Sequence, residues 1–259
     1  MVIKTNKKAA EVVLPIDSKS PWRATLRAHA HSIHPYRKSI TEWRELHARA
    51  TRGESEAEWQ VADIYDDGCK NKKGVVIVRR SKEKAILWLG RAANHGCRPA
   101  QNTFGVCLTN GDGVRRNVRQ GLWWLKRAFR DRDAGVAHNI ALTYRQIGEL
   151  RRAVKWLQTA CNLGDGDALV QLGIHYYWGK GVRKNPNAAV RCFRKAINSN
   201  CISGYGRDDA FFFLGLSYLE GAGLERSLTK ARRLLRRADA DHDHPIAGKL
   251  LARLRANPY

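Results

Sequence analysis

Apolar residues recur every third or fourth position through most of the chain, and glycines break the pattern at regular intervals. The stretch from Ala168 to Asn198 shows the unit. Gly173 and Tyr176 sit three residues apart, Gly179 and Gly181 follow, and Ala189, Phe193 and Ala196 come next at spacings of four and three. This spacing predicts two short amphipathic helices joined by a glycine turn.

The same frame fits most of the chain. The first-helix pair recurs as Ala62/Tyr65, Gly105/Leu108, Ala141/Tyr144, Gly173/Tyr176 and Gly215/Tyr218. The second-helix set recurs as Ala85/Leu89/Ala92, Gly121/Leu125/Ala128, Ala153/Leu157/Ala160, Ala189/Phe193/Ala196 and Ala231/Leu235/Ala238. Where two helices cross closely only Gly or Ala fits, and a larger side chain one turn away fills the space beside the crossing. Self-similarity in one register predicts an array of helical hairpins, with the small residues serving packing.

The pattern resembles the tetratricopeptide family, and more closely its Sel1-like branch, which carries a longer Gly-x-Gly-Val turn. That turn stands here as Gly111-Asp112-Gly113-Val114, Gly179-Lys180-Gly181-Val182 and, altered, Gly221-Ala222-Gly223-Leu224. The third unit departs, with nine steps from Tyr144 to Ala153 instead of thirteen, and the first departs the other way, with twenty from Tyr65 to Ala85. The resemblance implies an all-α fold, a right-handed α-solenoid of stacked hairpins spanning residues 55–256, in about five hairpins plus a closing helix. Repeats two to five are expected to begin near Ala100, Ala137, Ala168 and Ala210.

The flanks and the long first turn need separate readings. Residues 1–19 are polar and basic without helical period, which predicts a flexible segment. Residues 20–54 are expected to form a capping pair of helices. The first begins at Ser20-Pro21, and the second covers Ile40 to about Thr51 behind a Ser39/Glu42 capping box. Between Gly68 and Gly74 lie Cys69, Lys70, Asn71, Lys72 and Lys73, followed by Val75-Val76-Ile77-Val78-Arg79-Arg80. This insertion is either a partner-binding edge or a segment whose valines fold back on the first hairpin.

Charge adds a second theme. The chain carries +23 at neutral pH over 259 residues, which implies an acidic partner or a solubility surface. The longest apolar run, Ala210 to Leu216, is too short to span a bilayer. The N-terminal stretch lacks the apolar core of a secretion signal. The six cysteines occupy differing frame positions, and only Cys97 and Cys201 share one, three repeats apart. Reduced thiols and a cytoplasmic location are expected. His29, His31 and His34 cluster but cannot share one helix face, and His242 and His244 lie in a turn, so no metal or other cofactor is expected. No Cys-x-x-Cys, phosphate loop, His-Glu-x-x-His or nucleophile elbow occurs, which points away from an enzyme.

In the resembling family the first helix of each unit lines a concave groove and the second faces outward. That arrangement implies a partner-binding set at Trp59, Asp63, Asn102, Thr109, His138, Arg145 and Tyr177. Asp66, Val106, Leu142, Val170, Ile174, Phe212 and Leu216 lie near the same face, Ile174 and Phe212 packing on the next repeat. It also implies a polyanion-binding ridge at Arg116, Arg119, Arg127, Arg152, Arg194 and Arg233. The function expected is a scaffold, regulator or toxin-immunity module that binds a protein or peptide, an acidic one by charge. Nucleic-acid binding through the ridge is the alternative.

Overall fold

The computed structural model describes residues 38–240, 244 and 246–256. The expected flexible segment 1–19, the helix expected from Pro21, the histidines at 29, 31 and 34, and His242 lie outside these residues. Twelve α-helices are described. They are α1 (Ile40–Thr51), α2 (Ser55–Asp67), α3 (Lys82–Asn94), α4 (Arg98–Asn110), α5 (Val118–Ala128), α6 (Ala134–Gln146), α7 (Leu150–Asn162), α8 (Gly166–Trp178), α9 (Pro186–Ile197), α10 (Gly204–Glu220), α11 (Leu228–Ala238) and α12 (Ala247–Ala256). The most extensive packing is within the hairpins α2/α3, α4/α5, α6/α7, α8/α9 and α10/α11, and each hairpin then leans on the next. The result is an α-solenoid, as the sequence implied.

Each of the five hairpins is closed by the same backbone bond. The N-cap residue of the second helix donates its N–H to the carbonyl at the Tyr/Leu position of the first. The pairs are Ser81 to Tyr65 (2.8 Å), Asn117 to Leu108 (2.8 Å), Glu149 to Tyr144 (2.9 Å), Asn185 to Tyr176 (2.9 Å) and Ser227 to Tyr218 (3.0 Å). Four of these caps also accept a bond on the side chain from the third helical residue, as Asn117 does from Gln120 at 3.0 Å. The carbonyl of the first helix and the open N-terminus of the second thus satisfy each other, whatever the length of chain between them.

The small residues of the frame are buried at these crossings. Ala92, Ala153, Ala160, Ala189, Ala196 and Ala231 have no exposed surface. A Cβ added at Gly121 would lie 2.5 Å from the Thr109 methyl and 2.7 Å from the Gly105 carbonyl oxygen. One added at Gly173 would lie 2.5 Å from the Phe193 ring, which in turn stacks on Phe213 with centroids 5.5 Å apart.

The Gly-x-Gly turns serve a second contact. Both glycines of each turn have positive φ, where a side chain is strained. The second glycine also presses on the preceding repeat. A Cβ at Gly181 would come 2.6 Å from the Leu150 carbonyl group, one at Gly223 2.7 Å from that of Pro186, and one at Gly113 2.7 Å from the Lys82 side chain. Lys82, Leu150 and Pro186 each begin the second helix of the repeat before.

The first-turn insertion forms a two-stranded antiparallel hairpin, β1 (Cys69–Lys70) and β2 (Val76–Val78). Asn71 shapes its tip by accepting at Oδ1 from the Lys73 and Val75 N–H groups, both at 2.9 Å. Val78 is buried and Ile77 packs on the core, whereas Val75 and Val76 stay exposed. The insertion therefore folds back through some residues and offers an open edge through others. The fold is α-helical with this one ribbon among the described residues.

Helix starts differ from expectation most at α10, which begins at Gly204 rather than near Ala210. Ser203 caps it, accepting from the Gly206 N–H at 3.0 Å and donating to Asp167 of α8 at 2.7 Å. The extra turn lies where Gly166 and Gly206 leave no room for side chains, so apolar periodicity alone did not mark it.

Candidate interaction surfaces

Two helix layers offer surfaces of different chemistry. Successive first helices come within contact of each other, α4 with α6 and α8 with α10, an approach not matched between successive second helices. The first-helix layer is the more closely spaced.

Polar side chains bridge the first helices. Asn139 of α6 donates Nδ2 to Asn102 Oδ1 of α4 at 3.0 Å, and Gln146 donates Nε2 to Asn110 Oδ1 at 3.1 Å. The Arg145 guanidinium, exposed to solvent, donates to the Gln171 side-chain carbonyl of α8. His138 Nδ1 lies 3.0 Å from Asp165 Oδ2, the N-cap of α8. Of the sequence-expected groove residues, Asn102, His138 and Arg145 fall within this polar row. Trp59 and Asp63 sit half-buried on α2 at the acidic end, where Trp59 packs on the core.

Two expected groove residues are corrected. Thr109 is 2% exposed and donates its hydroxyl to the Val106 carbonyl at 2.9 Å. Tyr177 is 3% exposed, packs edge-on to Phe213 and donates its hydroxyl to the Glu220 carboxylate of α10. Desolvation and that acceptor both push its phenol pKa upward. Both side chains hold helices together and reach no solvent face. Val106, Val170 and Phe212 are buried likewise.

Sequence reasoning missed Asn110, Asn139, Gln146 and Gln171. The signal was present: amides recur two residues before the small residue (Asn139, Gln171) and five after it (Asn110, Gln146).

The second-helix layer is basic. Helices α5, α7, α9 and α11 contain no acidic residue. Arg116, Arg119, Arg152, Arg194 and Arg233 are exposed and Arg127 is half-buried. Arg116 Nε donates to the Thr109 carbonyl at 2.9 Å, Arg152 Nη1 lies 3.6 Å from Glu149, and Arg194 reaches the Tyr218 hydroxyl at 3.4 Å. Arg127 lies over the rings of Trp123 and Trp124. The acids concentrate instead on α2, as Glu56, Glu58, Asp63, Asp66 and Asp67. Glu58 is fully buried, with Arg91 Nε at 3.0 Å and His95 Nδ1 at 2.7 Å.

Among the described residues no three His, Cys, Asp or Glu side chains gather as a metal would need. No two cysteines are joined in a disulfide among the described residues, and burial raises the Cys107 and Cys161 thiols to about 12. Such thiols are poor nucleophiles. No described helix is long and apolar enough to cross a membrane.

Stacked hairpins bridged by polar side chains across their first helices define a helical-repeat solenoid, a class whose chemistry is surface recognition. The chain belongs to the Sel1 repeat family, whose sequence model matches residues 55–97, 99–132, 149–165, 166–201 and 209–238. Among solved structures, a Sel1 repeat protein from Oxalobacter formigenes is similar at 22% identity and a TM-score of 0.64, over 85% of this chain and 91% of that one. A protective antigen of uropathogenic Escherichia coli with an SLR fold is similar at 21% identity and a TM-score of 0.45, over 84% of this chain and 51% of that one. An immunity protein from Pseudomonas aeruginosa is similar at 17% identity and a TM-score of 0.45, over 100% and 89%.

Proposed function

We propose that the chain is a non-enzymatic interaction module that binds a protein or peptide along the face of its first helices. The observation that carries this reading is the row Asn102–Asn139, Asn110–Gln146 and Arg145–Gln171, which ties α4, α6 and α8 into one preformed polar strip. A strip already held by its own hydrogen bonds adds little ordering cost when a partner docks. Amide and guanidinium groups suit a peptide's backbone and acidic side chains.

Affinity capture of partners from lysate, with nuclease present, tests the reading. Asn139→Ala combined with Arg145→Ala should abolish capture of a partner that resists high salt, with the circular dichroism spectrum unchanged. Capture that survives this pair but fails with Arg119→Glu and Arg127→Glu overturns it in favour of the second-helix layer.

A second reading rests on a separate observation, the absence of acids from four second helices in register. It takes this layer as a polyanion-binding face. A face touching about six phosphates should give a log–log salt slope of roughly −5 on duplex DNA, without sequence preference.

A further inference from the structure

We infer that the exposed indole of Trp123, set among Arg119, Lys126 and Arg127 on α5, is a stacking platform for a base of single-stranded nucleic acid. This rests on the polyanion reading above and names its ligand class and binding site.

Trp123 stands out by position. The residue two after the small crossing residue is exposed in every second helix, as Leu87, Trp123, Lys155, Arg191 and Arg233. Three of these are cations, and Trp123 is an indole left 53% exposed. A large aromatic left in water forgoes burial that helix packing would otherwise supply, and such side chains mark recognition sites.

The indole is also held in place. It stands at 82° to Trp124 with centroids 4.7 Å apart, and the Arg127 guanidinium lies over both rings at 5.3 and 5.5 Å. These contacts restrict the ring before a ligand arrives, which lowers the ordering cost of stacking a base on it. The indole borders a shallow hollow of about 630 Å³, whose wall includes Asn117, Gln120, Arg119 and Lys126. The cations match phosphates, the Gln120 side-chain amide nitrogen matches an acceptor on a base edge, and the indole matches a base's flat face.

This combination selects among polyanions. A duplex keeps its bases stacked inward and offers the indole no base face to stack on. An anionic membrane would take the indole and the cations but offers no flat ring for the indole to stack on. A single strand uses all three groups.

The test is fluorescence anisotropy with the full chain, using fluorescein-labelled oligothymidylate and a duplex of equal length over a range of salt. Variants are Trp123→Ala, Trp123→Phe, the pair Arg119→Glu with Lys126→Glu, and the distant pair Arg191→Glu with Arg233→Glu. Single strands should bind more tightly than duplex. Trp123→Ala should weaken single-strand binding roughly tenfold or more, leave the salt slope unchanged, and be rescued by Trp123→Phe. The Arg119/Lys126 pair should reduce the slope, by about 0.7 for each phosphate no longer neutralised. If Trp123→Ala binds like the wild type while the charge variants do not, the site is wrong and the polyanion reading stands. If neither nucleic acid binds at low salt, both fail. Binding of phosphatidylserine vesicles through Trp123, with no oligonucleotide binding, overturns the proposal in favour of a lipid surface.

Discussion

A Cβ at Gly121 would meet the Gly105 carbonyl oxygen at 2.7 Å, and backbone cannot rotate away. At Gly173 the obstacle is the fully buried Phe193 ring, and at Gly215 the nearest atom is 3.1 Å away, on the Leu235 side chain. Overpacking therefore grades along the array. Gly121→Ala and Gly173→Ala should each cost about 1–3 kcal/mol by urea unfolding, Gly215→Ala less, and the exposed Arg233→Ala no more than about 0.5 kcal/mol. These sites were legible in the sequence because close crossings tolerate few residue types. Exposure was less legible. Thr109, Arg145 and Tyr177 share one frame position, four after the small residue, yet only Arg145 reaches solvent. The difference lies in what packs against each: Gly121 beside Thr109, Phe213 beside Tyr177, and for Arg145 the exposed run to Glu149.

The buried imidazole of His175 sets a pH dependence. His175 Nδ1 donates to the Lys180 carbonyl at 2.6 Å, and desolvation lowers the ring's pKa. The unfolded chain takes up a proton near pH 6.5 where the folded chain still resists it. This contribution is whole above that pH and falls away as the pH drops below it. Urea midpoints measured at about pH 7.5 and pH 5.5 should fall less in His175→Gln than in the wild type.

At the scale of the element, the turns decide stacking. Gly181 and Gly148 both have positive φ, but a Cβ at Gly181 collides with the carbonyl group of Leu150 while Gly148 has nothing within 4 Å. Gly181→Ala should thus cost clearly more than Gly148→Ala, which bears only the left-handed strain of about 1 kcal/mol. Equal costs in thermal unfolding would mean the inter-repeat contact contributes little. The sequence marked the turns by their glycines, but not that the second glycine touches the previous repeat, because that contact exists only once hairpins stack. The β1–β2 ribbon was half legible. Its β-branched run was visible, while its division into buried Val78 and exposed Val75 and Val76 depends on a register that Asn71 sets at the tip.

Across the whole molecule, charge is sorted by layer. The acids of α2 and the unbroken bases of α5, α7, α9 and α11 leave +23 poorly neutralised. Like-charge repulsion opposes compactness and salt screens it. Raising sodium chloride from about 20 mM to about 300 mM should raise the unfolding temperature, and Arg191→Glu with Arg233→Glu should shrink that rise.

The bond from each second-helix cap back to the Tyr or Leu carbonyl spans links of very different length, from five steps along the chain (Tyr144 to Glu149) to sixteen (Tyr65 to Ser81). Seen as a joint, it is a standard fitting. A repeat needs its two ends delivered to that fitting and, where a second glycine meets the repeat before, that contact kept; the ribbon tip at Gly74, with nothing within 4 Å, is therefore a free port on the array, where a foreign loop can be mounted without disturbing how the helices stack.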